Sequence, residues 1–153
     1  MAPALEVPPY RRDGRPGEFF SWDELKVTST GLPNEPGEWH RVNLRTLCHY
    51  VLDPLRRQLG PIRVTSGFRA PMVNFKVQGS VTSAHMQGLA ADIQSWNGDF
   101  TPHDVARAVR ELELPIDQCI VYEGGWTHLG LGISRQRRQF LLKSSAGYSP
   151  YPE

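Results

Sequence analysis

The stretch TSAHMQGLAADI, Thr82 to Ile93, places His85 and Asp92 seven residues apart with no charged residue between them. If this stretch were one helix, the two side chains would lie roughly 10 Å apart along its axis. Ligands of one zinc ion each lie only about 2 Å from the metal, so a single helix cannot bring both to the same ion. A turn at Gly88 followed by a short buried strand, LAADIQ, does allow it. The pattern therefore predicts that His85 lies on a turn and Asp92 on the strand that returns past it.

A third ligand is needed, because catalytic zinc is held by three protein side chains and keeps one position open for water. The segment WTHLG supplies His128 on a strand whose alternation puts Trp126, His128 and Gly130 on one face. Glu123 ends the preceding strand, and the two glycines that follow let the chain turn back toward the same site. We therefore expect Glu123 to be a general base rather than a ligand. A His and an Asp alone are more commonly a packed pair, so the prediction depends on all four residues together.

Length, charge and cysteine usage limit the classes of protein that fit. A chain of 153 residues can form one domain with a substantial core, and its net charge of +1 argues against a nucleic-acid binder. Cys48 and Cys119 lie in apolar segments and are typical of core residues rather than of a disulfide framework. No basic start followed by a long apolar run is present, so we expect neither a signal peptide nor a membrane span. We expect a monomer that is synthesised in the cytoplasm, with no nucleic-acid or membrane partner.

Hydrophobic periodicity changes about one third of the way along the chain. Apolar residues at steps of three and four predict a helix from Trp39 to Leu59, bent at Pro54. Beyond Gly60 the period falls to two, and QCIVYE and WTHLGLGI are predicted to form a hairpin. The predicted fold is α+β, a small antiparallel sheet with helices packed on one side. We expect an extended lead-in over residues 1–18, one domain over 19–143, and a tail over 144–153.

Three segments together carry a resemblance to a known family: SGFRAPMVNFKV, TSAHMQGLAADI and YEGGWTHLG. They are similar to peptidase M15, the zinc D-Ala-D-Ala carboxypeptidases and endopeptidases, and most of all to its small phage-type members. FFSWDELKVTSTG and VLDPLRRQLG also resemble those proteins, so the likeness covers roughly residues 18–142. The related folds are those of D-alanyl-D-alanine dipeptidases and of the hedgehog signalling domain.

The resemblance implies a role for each candidate residue. The family's Ser-x-His-x(6)-Asp motif corresponds to Ser83, His85 and Asp92, and its last His corresponds to His128. Zinc is then the implied cofactor, Glu123 the base, and Arg69 the group that holds a substrate carboxylate or carbonyl. Ser83 would support His85 or contact substrate. Trp126 would either line the substrate groove or serve only in packing.

Three functions fit this pattern. The first is a zinc peptidase that cuts peptidoglycan stem peptides, encoded by a phage or prophage and acting at the cell wall after release or as a virion component. The second is a non-catalytic, zinc-stabilised wall-binding or virion structural module. Glu123 favours the enzyme, because a structural zinc is more commonly closed by a fourth protein ligand. The third, a dipeptidase acting on free D-Ala-D-Ala, differs in how closed the groove is.

Overall fold

The computed structural model describes residues 4–153, so the first three residues of the predicted lead-in lie outside the described part. The helices are α1 (Trp22–Leu25), α2 (Glu38–Leu47), α3 (Asp53–Leu59), α4 (Pro71–Lys76) and α5 (Pro102–Glu111). The strands are β1 (Ile62–Ser66), β2 (Ala90–Ser95), β3 (Ile116–Tyr122), β4 (Trp126–Leu131), β5 (Gln139–Ser144) and β6 (Gly147–Pro150). No helix within residues 4–153 combines the length and apolar character needed to cross a membrane.

The predicted long helix is present, but its central turn is π-helical rather than α-helical, which the sequence did not predict. A π-helical segment, Cys48–Leu52, joins α2 directly to α3. Pro54 has no N–H and cannot close the usual helical hydrogen bond. The N–H of Asp53, just before it, bonds to the carbonyl of Cys48, five residues back. The bend predicted at Pro54 is therefore accommodated by a π-helical widening that precedes the proline.

All six strands form one sheet in the order β1-β2-β4-β3-β5-β6, and every pair is antiparallel except β3 with β5. One face of the sheet packs on the helices through buried side chains such as Ile93, Val121 and Leu129. Asp92 and His128 are direct partners across β2 and β4, and alternation puts both on the opposite face. The α+β prediction is confirmed.

The lead-in is attached to the helices by a buried carboxylate. Asp53 accepts hydrogen bonds from the backbone N–H groups of Glu18 at 2.9 Å and Phe19 at 3.3 Å. A Cβ at Gly17 would lie 2.8 Å from the Cβ of Cys48, so only glycine fits there without displacing the helix. At the other end of the chain, the segment that the sequence sets apart as a tail contributes β6 to the sheet.

Candidate metal centre

His85 lies on a short 3-10 turn, Ala84–Gln87, between α4 and β2. The Oγ of Ser83 accepts the N–H of His85 at 3.2 Å, and Gly88 ends the turn in the left-handed conformation, with φ of 75°. The Nδ1 of His85 lies 2.7 Å from the carbonyl oxygen of Gly67. A carbonyl can only accept a hydrogen bond, so Nδ1 carries the proton and donates it. This bond leaves the lone pair of Nε2 free and fixes the plane of the ring.

The other two predicted ligands meet His85 across the sheet. His128 Nδ1 lies 2.9 Å from Asp92 Oδ1, and His85 Nε2 lies 3.3 Å from the same oxygen. One ligand atom from each of the three residues lies within 4.8 Å of the other two. We call His85, Asp92 and His128 the His–Asp–His cluster. The turn and the two strands expected from the sequence bring its three members together.

Chemistry indicates that a cation belongs among these atoms. The Nε2 of a neutral His85 and the Oδ1 of an ionised Asp92 are both acceptors, so a 3.3 Å contact needs a proton or a cation between them. His85 is only 3% exposed, and burial lowers its pKa, which disfavours the doubly protonated imidazole. Two ligands at tetrahedral positions around zinc are about 3.3 Å apart. The donor set of two imidazole nitrogens and one carboxylate oxygen therefore fits zinc.

Asp92 stays ionised although it is only 8% exposed. Burial would raise the pKa of Asp92, but the two imidazole rings that face its carboxylate, His128 and His85, outweigh that effect and hold the pKa well below its usual range. The second carboxylate oxygen, Oδ2, lies 3.3 Å from the Nη2 of Arg69. Asp92 therefore presents one oxygen to the histidines and the other to an arginine.

The side chain of Arg69 is held by more hydrogen bonds than a residue that only binds substrate would need. Besides Asp92, its guanidinium contacts Ser66 Oγ at 2.9 Å and Asn74 Oδ1 at 3.5 Å. The backbone N–H of Arg69 also bonds to the carbonyl oxygen of His85 at 3.1 Å. The residue thus supports two members of the cluster while its side chain still lines the cleft above them.

The cluster lies on the wall of an open, mainly polar cleft of about 490 Å³. One rim comes from the loop between α4 and the 3-10 turn and contains Ser83. The opposite rim contains four residues that were not predicted to belong to the site: Asp117, Tyr122, Arg137 and Tyr148. Asp117 and Arg137 form a two-pronged ion pair with both distances at 2.8 Å, and the hydroxyls of Tyr122 and Tyr148 are 3.4 Å apart.

Two predicted site residues are not brought to the cleft. Glu123 is exposed where β3 turns into β4, and it does not line the cleft. The residues of β3 that do line it are Gln118, Ile120 and Tyr122. Trp126 stacks on Tyr122, with ring centres 4.5 Å apart and an interplanar angle of 13°, but only Tyr122 lines the cleft.

One comparison with known proteins identifies a family. The family model described as Peptidase M15 matches residues 20–130, which is more than half of the chain and contains the whole His–Asp–His cluster. No curated protein matches the chain. Arg137 and Tyr148, which supply part of the cleft rim, lie beyond the matched region. The chain belongs to the peptidase M15 family of zinc-dependent metallopeptidases.

Proposed function

We propose that the protein hydrolyses peptide bonds in the stem peptides of bacterial peptidoglycan, as a D,D-carboxypeptidase or endopeptidase. The observation that carries this proposal is the His–Asp–His cluster on the wall of an open polar cleft, in a chain of the M15 family. An open cleft suits a peptide that is still attached to the wall better than it suits a free dipeptide. We infer that the protein acts at the cell wall, as a phage or prophage lysis enzyme or as a virion component.

His85, Asp92 and His128 would hold the zinc ion. Bound zinc supplies Lewis acidity, which polarises a scissile carbonyl and favours attack by water. Gly67 keeps His85 in the tautomer whose Nε2 can ligate. Arg69 would orient the substrate, because a guanidinium on the cleft wall can donate two parallel hydrogen bonds to a peptide carboxylate or carbonyl.

The reaction also needs a group that accepts and returns a proton. We propose Glu123 for this role, as the YEGGWTH motif suggests. Its carboxylate reaches the cleft only if the β3–β4 turn moves, and Gly124 and Gly125 make such a movement feasible. Asp117 is the alternative, because it already lines the cleft, although Arg137 occupies both of its oxygens. Comparing Glu123→Gln with Asp117→Asn distinguishes the two.

The test of the function is digestion of purified peptidoglycan with zinc-loaded protein, followed by mass spectrometry of the released fragments. We expect one zinc per chain and fragments shortened at a stem-peptide bond. A His85→Ala/His128→Ala double variant is the control and should neither retain zinc nor cleave. If the wild type binds zinc and the wall yet releases no fragment, the chain is a non-catalytic wall-binding module and the proposal is wrong.

A further inference from the structure

A second cavity, of about 270 Å³, lies between the lead-in and α2 and shares no residue with the metal cleft. Four of its lining residues are arginines, and one is a carboxylate, Glu38. The lining residues are Tyr10, Arg11, Gly14, Arg15, Trp22, Glu38, Arg41, Val42 and Arg45. Neither the motifs nor the proposed peptidase reaction accounts for this concentration of positive charge.

Arg45 is the unusual member, because it is a buried cation without a counter-charge. The residue is only 5% exposed, and no carboxylate among residues 4–153 comes within ion-pair distance of it. Its single hydrogen bond, from Nη2 to the carbonyl oxygen of Pro8, is long at 3.5 Å. Within the same residues its Nε has no partner at all. A buried charge left in this state is costly unless something compensates it.

The other three arginines of the cavity differ in whether a carboxylate pairs with their charge. Arg11 pairs with Asp13 at 2.8 Å, and Arg41 pairs with Glu35 at 2.6 Å. Within residues 4–153, the side chain of Arg15 forms one hydrogen bond, from Nε to the carbonyl oxygen of Phe20 at 3.2 Å. Arg15 and Arg45 therefore both face the cavity without an ion pair in the described part of the chain.

Glu38 does not supply the missing charge. It lines the cavity but forms no ion pair with any arginine there, within residues 4–153. The ring of Tyr10 lies 3.8 Å from the guanidinium of Arg45 and covers one side of it, yet it brings no negative charge. Tyr10 is itself 74% exposed, so it forms an outer wall that a ligand can approach. The cavity retains an excess of positive charge.

We propose that this cavity binds a phosphate-type oxyanion, with Arg45 and Arg15 as its principal ligands. Guanidinium groups bind tetrahedral oxyanions through pairs of parallel hydrogen bonds, and the cavity brings two such groups together. The cavity volume is several times the roughly 30 Å³ that one water molecule occupies in the liquid, so a hydrated oxyanion fits. The bound anion neutralises the buried charge of Arg45, whether it is free phosphate or one unit of a phosphodiester polymer.

Isothermal titration of the zinc-loaded protein with inorganic phosphate tests the proposal. We expect saturable binding that weakens at least about tenfold in Arg45→Met, where an apolar chain replaces the buried cation. Arg15→Met is the second variant, because Arg15 is exposed and its loss should not affect folding. Arg107→Met is the matched control, since Arg107 is an exposed arginine that pairs with Asp104 outside this cavity.

Phosphate bound to zinc would also give saturable binding. The His85→Ala/His128→Ala variant, which lacks two zinc ligands, is therefore titrated as well, and it should bind phosphate as the wild type does. A poly(glycerol phosphate) arm separates the two sources of the anion. If the polymer binds much more tightly per phosphate group than inorganic phosphate does, the ligand is a phosphodiester polymer. If the two bind equally per phosphate group, the ligand is the free ion. No saturable binding at about 10 mM phosphate, or equal binding by the wild type and both cavity variants, overturns the proposal.

Discussion

Substituting Gly88 by alanine should destabilise the turn that carries His85, for two separable reasons. Gly88 has φ of 75°, a conformation that L residues adopt only at a cost. A Cβ at Gly88 would also lie 2.7 Å from the carbonyl oxygen of His40 and 3.3 Å from the Cγ of Leu44. The first contact is with backbone of α2, so either the turn or the helix must shift.

The magnitude follows from adding these effects. The left-handed conformation costs about 1–2 kcal/mol for a residue with a Cβ. Forcing a methyl group against packed backbone adds about 1–3 kcal/mol. We therefore expect Gly88→Ala to lower the free energy of unfolding by about 2–5 kcal/mol. Because the N–H of Gly88 bonds to the carbonyl of His85 at 3.2 Å, the shift should move His85 and weaken zinc binding too.

Gly31 is a matched control, since it also has φ of 75° but a Cβ there would meet no atom of residues 4–153 within 4 Å. Gly31→Ala should lose only the conformational part, about 1–2 kcal/mol, and retain zinc affinity. Urea denaturation of the metal-free proteins measures the unfolding energies, and competition with a chelating dye measures zinc affinity. Equal losses in Gly88→Ala and Gly31→Ala would refute the close-approach argument.

Three further outcomes are expected. Glu123→Gln should retain zinc but cleave wall peptides at least about a hundredfold more slowly, as stopped assays of fragment release would show; an equal rate removes Glu123 as the base. Arg69→Met should lower kcat/KM at least about tenfold. Arg63→Met, which replaces an exposed arginine of β1, is the control and should leave kcat/KM unchanged. Equal kcat/KM values for the two variants would exclude Arg69 from substrate binding. The metal-free protein should lose stability as pH falls below about 6.5, because the lowered pKa of His85 lets the unfolded chain bind the proton first. A further loss should begin near pH 4, where the unfolded chain protonates the carboxyl of Asp92 before the folded one does, because the pKa of Asp92 is lowered by folding. Denaturation curves across pH check both, and a flat profile from pH 7 to 5 contradicts the first.

The sequence predicted the parts of the site that depend on local pattern. The turn at Gly88 and the alternation of β2 and β4 were sufficient to bring His85, Asp92 and His128 together. Two strand-like runs separated by Gly124 and Gly125 predicted the hairpin of β3 and β4. These features depend on neighbours in the chain or on a short connection, which periodicity describes well.

The opposite rim of the cleft was not predicted, because it depends on contacts between distant segments. Arg137 and Tyr148 reach Asp117 and Tyr122 through the parallel pairing of β3 with β5, and no local pattern encodes that pairing. Strand β6 was missed for a related reason, since GYSP contains glycine and proline, which are uncommon in strands. The π-helical segment before Pro54 was not predicted, because the sequence does not show which carbonyl group accepts the N–H of Asp53.

The position of β5 beside β3 also covers one edge of the sheet. If the chain were cut at residue 130, where the family match ends, the β3 edge from Gln118 to Tyr122 would lose its partner. That edge would offer unpaired backbone groups beside Ile120 and Val121, a template on which a second chain could add. With β5 and β6 present, the edge on this side of the sheet is instead β6, which is four residues long and ends in Pro150, a residue without an N–H to donate. The last two strands therefore cover a sheet edge on which a second chain could otherwise pair, and β6 also brings Tyr148 to the rim of the cleft.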